Sequence, residues 1–270
     1  MNKDRNFDDL AQRFHRNVYG SLKGQVRLKV LERDFDDCFP VLKGCSNSDL
    51  QILDVGAGLA QFSTTLVAER GHLVLNDIST EMLKLAHKGI SKKAKTLGSS
   101  YAQRISIVQA PLQVLSSVLQ EREMQTQYDL VLCHAVMEWM EQPSTLVPHL
   151  KSLLKPGGYL SLSFYNINGL AFKNLLRTNY NKFDIDNFKA FRGSLTPTHP
   201  QEPLLVLAQL EQQGFSIICK SGIRVFHDYI LDPAARQREP EALVQKELEY
   251  SRREPFWQMA RYIHFMARYD

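Results

Sequence analysis

The chain has 270 residues, 44% of them apolar, with a net charge of +4 and a pI near 8.8. That length buries a substantial core, as one large α/β domain or two small ones, and the mild basicity permits a polyanionic partner without demanding one. No apolar run is long enough to cross a bilayer, and the N-terminal MNKDRNFDDL lacks the apolar centre of a signal peptide, so a cytoplasmic protein is expected. Cys38, Cys45, Cys133 and Cys219 lack the paired spacing of a zinc site, which argues against structural metal and disulfides.

In chain order, Phe7, Leu10 and Phe14 share one helical face, and Val18, Tyr19, Val26, Val30 and Leu31 predict a further helix after the Gly20-Ser21 break. Such a segment either caps the fold or closes over a ligand. In the second case Tyr19, Lys23 and Arg27 face inward, and Arg27 offers a fork that grips a carboxylate.

The stretch QILDVGAGLAQ follows at 51–61. Ile52, Leu53 and Val55 read as a buried parallel strand, Asp54 sits near its carboxyl end, and Gly56 and Gly58 let the backbone turn sharply into a helix predicted from Gln61 to Glu69. The position that a dinucleotide fingerprint fills with a third glycine is Gln61. The turn also lacks the Lys and Ser/Thr of a phosphate-loop NTPase. A second strand, His72 to Leu75, ends in Asn76-Asp77, with Asp77 at the spacing that accepts hydrogen bonds from a ribose diol. Two carboxylates and a glycine turn without a phosphate cradle suit a nucleoside ligand that carries no phosphate, namely S-adenosylmethionine.

A helix opens at Ser79 and closes with Lys88, Lys92, Lys93 and Lys95, read as a solvated face. The strand Ile105 to Val108 leads to Ala110-Pro111-Leu112-Gln113, where an adenine would meet the Leu112 N–H; Pro111 has none to give. The fourth strand, Leu130 to Cys133, runs into HAVMEW and brings His134 to the point where the strand order reverses. A helix through Leu146 and Leu150, the KPGG turn and the strand Tyr159 to Tyr165 are architectural.

From Asn166 to Pro200 aromatic residues (Phe172, Tyr180, Phe183, Phe188, Phe191) alternate with cations (Lys173, Arg177, Lys182, Lys189, Arg192). That mixture suits single-stranded RNA, and equally a packed two-helix insertion. A helix through Leu204 and Leu210, a strand from Phe215 to Cys219, the loop GIRVFHDY with Arg224, His227 and Tyr229, and a helix from Glu241 to Arg253 come next. Met259 to Ala267 alternates as a final edge strand.

RNFDDLAQRFHRNVYGSLKGQVR, HAVMEW, KPGG with SLSFYN, and GIRVFHDY together resemble the tRNA 5-carboxymethoxyuridine methyltransferase family, within the class I S-adenosylmethionine-dependent methyltransferases. The resemblance runs almost end to end. It implies an α/β Rossmann-like fold with a mostly parallel seven-stranded sheet and helices on both faces. With no internal repeat and no low-complexity linker, the chain reads as a single domain with a helical lid at 1–45 and an insertion at 166–200. The implied reaction is methyl transfer to the carboxylate of 5-carboxymethoxyuridine in the tRNA anticodon loop, with S-adenosylmethionine as cofactor and no metal. Carried onto matching positions, the cofactor contacts are Arg27, Gly56, Ala57, Asp77, Pro111, Leu112 and His134.

The chemistry agrees with what is missing. No Asn/Asp-Pro-Pro-aromatic motif for amine methylation follows the fourth strand, and no cysteine sits in a nucleophile loop. A carboxylate needs neither, being ionised at neutral pH. Alignment and desolvation then carry the catalysis, with no acid or base residue, and Tyr19, Tyr165, Arg224 and His227 are the candidates for holding the acceptor carboxylate. A methyltransferase for a small carboxylic acid or phenol, and a non-enzymatic cofactor-binding module, stay open beside this reading.

Overall fold

A computed structural model describes residues 4–11, 21–39, 50–67, 71–180 and 197–270. Tyr19, the rest of the helical face with Phe14 and Val18, Cys45, the end of the helix at Glu69, and the run from Lys182 to Arg192 lie outside the described residues.

Among the described residues seven strands form one sheet in the order β3-β2-β1-β4-β5-β7-β6. The strands are β1 (Gln51–Val55), β2 (His72–Asp77), β3 (Ile105–Gln109), β4 (Tyr128–His134), β5 (Leu154–Tyr165), β6 (Phe215–Ile223) and β7 (Tyr262–Tyr269). β1 to β5 pair in parallel, and β7 lies antiparallel between β5 and β6. The chain starts at β1, runs outward to β3, then returns to the other side of β1 at β4. This reversal opens a crevice beyond the carboxyl ends of β1 and β4.

Helices cover both faces, which is why the strands are continuous apolar runs. Leu53, Val55 and Val131 pack with Leu115 and Leu119 of α5 (Leu112–Glu121), Leu146 and Leu150 of α6 (Leu146–Ser152), and Val206 and Leu210 of α8 (Pro203–Gln212). Ile52, Leu73, Leu75, Leu130 and Leu132 point the other way. They meet Val26, Val30, Leu31 and Phe35 of α1 (Leu22–Cys38) and Ala86 and Ile90 of α3 (Thr80–Leu97). The short α2 (Ser63–Leu66) lies between β1 and β2, and α4 (Ser99–Gln103) joins α3 to β3; α7 (Ile167–Leu176) follows β5, and α9 (Pro240–Tyr250) and α10 (Phe256–Met259) precede β7.

Three sequence expectations change. The closing strand is internal: β6 takes the edge, and Ile263 to Ala267 are all buried because β7 has a strand on each side and helices over both faces. The helix expected to run on to Arg253 ends at Tyr250, and Arg252 turns back to ion-pair with Asp34 at 2.6 Å and Asp37 at 2.9 Å. Lys93 is half-buried and donates to the Thr64 hydroxyl at 2.8 Å, so it leaves the solvated face assigned to it.

Candidate active site

A cavity of about 420 Å³ opens beyond the ends of β1, β2 and β4. Its floor is the glycine turn. Gly56 adopts φ +65°, and a Cβ there would stand 2.3 Å from Val136 Cγ2, so the turn and the exit of β4 interlock only without a side chain. Gly58 also has positive φ, and the space beside it is open. The Ala57 N–H donates to the Asn76 carbonyl at 2.8 Å, and the Gly58 N–H to Asp77 Oδ2 at 2.8 Å. The Ser79 N–H completes the fastening on Asp77 Oδ1 at 2.8 Å. Backbone strain gathers here too: Ala60, Ala135 and Arg224 line the cavity and are non-glycine residues at positive φ, a conformation that persists where the surroundings impose it.

Two carboxylates face this end. Burial, with the Asp77 charge added, pushes Asp54 up to about 7. Burial likewise raises Asp77, against the pull of the Ser79 and Gly58 amides. A cation placed between them removes the cost of their mutual repulsion. Leu112 and His134 complete this wall. Pro111 is the extended residue before α5 and does not line the cavity. Leu112 is the first residue of α5, so its N–H has no acceptor within that helix.

Residues 4–8 cross above. Asp4 accepts from the Glu141 N–H and the Gln113 amide, each at 2.9 Å, and the Arg5 N–H donates to the Trp139 carbonyl at 3.0 Å. Phe7 meets Trp139 edge-on at 4.9 Å, and Asp8 accepts from the Ser79 hydroxyl at 2.7 Å and the Glu81 N–H at 3.0 Å. Asp4, Arg5, Phe7, Lys23 and Arg27 all line the cavity.

The opposite end has the reverse charge. Lys23, Lys173, Arg224 and Arg261 line it around one carboxylate, Asp228. Asp228 accepts from Lys173 Nζ at 3.1 Å and faces Arg224 Nε at 3.1 Å. Burial alone would raise its carboxyl, yet Arg224, His227 and Lys173 hold it well below the usual range. Burial lowers Lys173 to about 8 in spite of Asp228. Arg261 lies over the Tyr165 ring with its guanidinium carbon 4.4 Å from the centroid, and Arg224 lies over Tyr262 at 5.2 Å. Three buried polar atoms of the residues lining this end have no hydrogen-bond partner: Tyr165 Oη, Arg261 Nη1 and Asp228 Oδ2, the last still in ion-pair reach of Arg224. Burial also raises the Tyr165 hydroxyl.

Of the four acceptor-site candidates, Tyr165 and Arg224 line the cavity and Tyr19 lies outside the described residues. His227 does not line it: the side chain is buried behind Asp228, 3.6 Å away, and the backbone N–H of His227 donates to the Glu247 carboxylate. Sequence reasoning missed Asp228 and Arg261 as site residues. Arg261 had no local signal, because it is a lone cation just before a strand; its place is set by its N–H on the Arg224 carbonyl and its carbonyl on the Asn166 N–H, each at 3.2 Å. Cys133 is fully buried and its thiol is pushed well up by burial, as expected for a residue with no nucleophilic role.

Residues 53–160 match the family model described as "Methyltransferase domain". The tRNA 5-carboxymethoxyuridine methyltransferase of Escherichia coli (strain K12) is 37% identical over 267 residues, covering 98% of this chain and 97% of the relative. A malonyl-[acyl-carrier protein] O-methyltransferase of Halalkalibacterium halodurans is 25% identical over 116 residues, 42% of this chain and 38% of that one. Among solved structures, magnesium protoporphyrin IX methyltransferase from Synechocystis PCC 6803 with bound SAH superposes with a TM-score of 0.63 at 17% identity, covering 98% of this chain and 96% of that chain. That last likeness is one of fold alone. With a switch-point cavity, its glycine turn and its two-signed lining in place, near end-to-end identity at this level means that the chain belongs to the tRNA 5-carboxymethoxyuridine methyltransferase family, within the class I S-adenosylmethionine-dependent methyltransferases.

Proposed function

We propose that the chain esterifies the carboxylate of 5-carboxymethoxyuridine at the tRNA wobble position, with S-adenosylmethionine as methyl donor, in the cytoplasm. The observation that carries this reading is the excess of cations at the acceptor end: Lys23, Lys173, Arg224 and Arg261 against Asp228, with Arg261 Nη1 and Tyr165 Oη both buried and unpartnered. A buried donor without an acceptor costs about 1–3 kcal/mol, and a carboxylate removes that cost at both atoms.

The residues at the other end fit the cofactor. The open side of Gly58 lets a ligand lie against the main chain, and Asp54 and Asp77 balance a positive charge. Asp77 would take the ribose hydroxyls, Leu112 the adenine, and Gly56, Ala57, Arg27 and His134 the amino-acid portion. When bound, the cofactor supplies an electrophilic methyl group on a sulfonium. The acceptor oxygen is already ionised, so no side chain has to remove a proton. Tyr165, Arg224 and Arg261 hold and desolvate it, and alignment of the two ligands contributes several kcal/mol. Asp4, Arg5, Phe7, Lys23 and Arg27 line the cavity, which supports reading residues 1–45 as a lid on the cofactor, with residues 166–200 as an insertion.

The test is methyl transfer from labelled cofactor to tRNA from cells lacking the enzyme, with nucleoside analysis of the product. The wobble acid should disappear as its ester forms, and tRNA bearing 5-hydroxyuridine should take up no label. Binding of tRNA should weaken steeply with salt as phosphate contacts are lost. Salt-independent methylation of a small carboxylic acid, with tRNA inert, would replace this reading by that of a small-molecule methyltransferase.

A further inference from the structure

The acceptor end is assembled where β5 and β7 stop pairing. Their last pair in register is Tyr165 with Tyr262, and one residue further the Asn166 N–H donates to the Arg261 carbonyl at 3.2 Å. Asn166 is fully buried, and its side-chain Nδ2 donates to two more carbonyls, those of Gln258 and Ala260, each at 2.7 Å. Its Oδ1 accepts from the Asn168 N–H at 3.0 Å and so caps α7, the helix that carries Lys173.

These partners fix the orientation of the amide. Backbone carbonyls only accept and a backbone N–H only donates, so the nitrogen and oxygen of this side chain cannot be exchanged, and both Nδ2 hydrogens are used. The consequence falls on Arg261. Its Cα lies between two peptide groups: the one before gives the Ala260 carbonyl to Asn166 Nδ2 and the Arg261 N–H to the Arg224 carbonyl, and the one after gives the Arg261 carbonyl to the Asn166 N–H. With both peptide planes held, φ and ψ of Arg261 are held too, and with them the direction in which its side chain leaves the main chain. That direction lays the guanidinium over the ring of Tyr165, the residue next to Asn166, 4.4 Å from the centroid. α7 closes on the same carbonyl, since a Cβ on Gly169 would stand 2.4 Å from the Ala260 oxygen.

We infer that Asn166 is a positioning residue of the acceptor end: its amide sets where Arg261 presents its guanidinium, and with it the place at which an anionic acceptor is held. Resting on the functional reading above, that acceptor is the carboxylate of the modified uridine. Arg261 and Tyr165 both line the cavity, whereas Asn166 does not, so it acts on the ligand only through them. An aspartate at 166 has nearly the same shape but no hydrogen to give, and would set a carboxylate against two carbonyls. A serine keeps a capping oxygen for α7 and gives up the paired N–H donors.

The test compares Asn166→Ser and Asn166→Asp with the unsubstituted full chain. Arg261 supplies a readout that needs no activity: protons held over an aromatic ring resonate upfield, and the Arg261 δ-methylene signal, assigned by its loss in Arg261→Met, should lie upfield in the unsubstituted protein. In Asn166→Ser it should move to the ordinary arginine position, and KM for tRNA should rise about tenfold with affinity for S-adenosylhomocysteine unchanged. A chain that was merely less stable would keep its KM and lose only its active fraction. Asn166→Asp should show the same two effects more strongly, and the serine variant, which keeps the helix cap, decides the matter should the aspartate variant fail to fold. In an Arg261→Met background Asn166→Ser should cost little more, because the residue it acts through is gone. An Arg261 signal at the ordinary position in the unsubstituted protein overturns the inference, as does one that stays upfield in Asn166→Ser with KM unchanged, and so do losses that multiply in full in the double variant. Failure of the unsubstituted chain to methylate tRNA would sink the functional reading and leave the Arg261 signal where it is, so the two failures are distinguishable.

Discussion

The two ends of the cavity are opposite in charge and in construction. The cofactor end, with Asp54, Asp77 and the Gly56–Gly58 turn, comes from β1, β2 and the turn between β1 and α2, all within about thirty residues of chain. The acceptor end draws Lys23 from α1, Tyr165 from the end of β5, Lys173 from α7, Arg224 and Asp228 from the loop after β6, and Arg261 from just before β7. One end is a local motif, and the other is a convergence. On the proposed reading, a positive donor and a negative acceptor would each meet the countercharge that suits them.

The comparison breaks most severely at Gly56. Gly56→Ala must place a side chain at φ +65° and displace Val136, at a cost of about 3 kcal/mol. A clear fall in Tm and loss of binding to S-adenosylhomocysteine should appear together in thermal unfolding and calorimetry. At the other end Arg261→Met should lower kcat/KM on tRNA about 100-fold, about 2.7 kcal/mol, and leave affinity for S-adenosylhomocysteine unchanged, with Arg261→Lys recovering part of the loss. Equal damage to both functions would mean that the ends are not separable.

Smaller effects sharpen the contrast. Asp77→Asn should weaken binding of S-adenosylhomocysteine about tenfold, measured by calorimetry, because the amide has one accepting oxygen where the carboxylate has two. Asp54 predicts a pH dependence with a definite sign. Its folded-state pKa is raised to about 7, so between the unfolded value of about 4 and 7 the native state holds a proton that the unfolded chain has released. This contribution to stability is lost as pH rises through that window, and Asp54→Asn should flatten it in a series of Tm measurements. Affinity for the cationic S-adenosylmethionine should move the other way and rise a few-fold between pH 6 and 8 as the carboxylate ionises.

How much of this was legible in sequence follows the same division. Strand periodicity, the glycine turn, the Ser79 cap and the Asp77 spacing each depend on neighbours a few residues away, so the strands of the sheet and the gathering of Gly56, Gly58 and Asp77 at one end of it could be read directly. His227 was drawn into the acceptor site by proximity to Arg224 in GIRVFHDY, but the loop turns between them and the ring packs inward against Asp228. Likewise, alternation at the C-terminus suggested an edge, and only the pairing of β7 with both β5 and β6 fixed it inside the sheet.

By itself, then, the sequence determined the parallel part of the sheet, the switch point and the glycine turn with its two carboxylates, because hydrophobic period, backbone φ and short loop spacing are local quantities. The tertiary structure alone decided that Arg261 stands over Tyr165, that Asp228 is shared by Lys173 and Arg224, and that Asp34 reaches His134 through His264 and Ser161. Those contacts join residues 4 to 230 positions apart, and whether such side chains meet depends on the order of strands in the sheet, which no local pattern encodes.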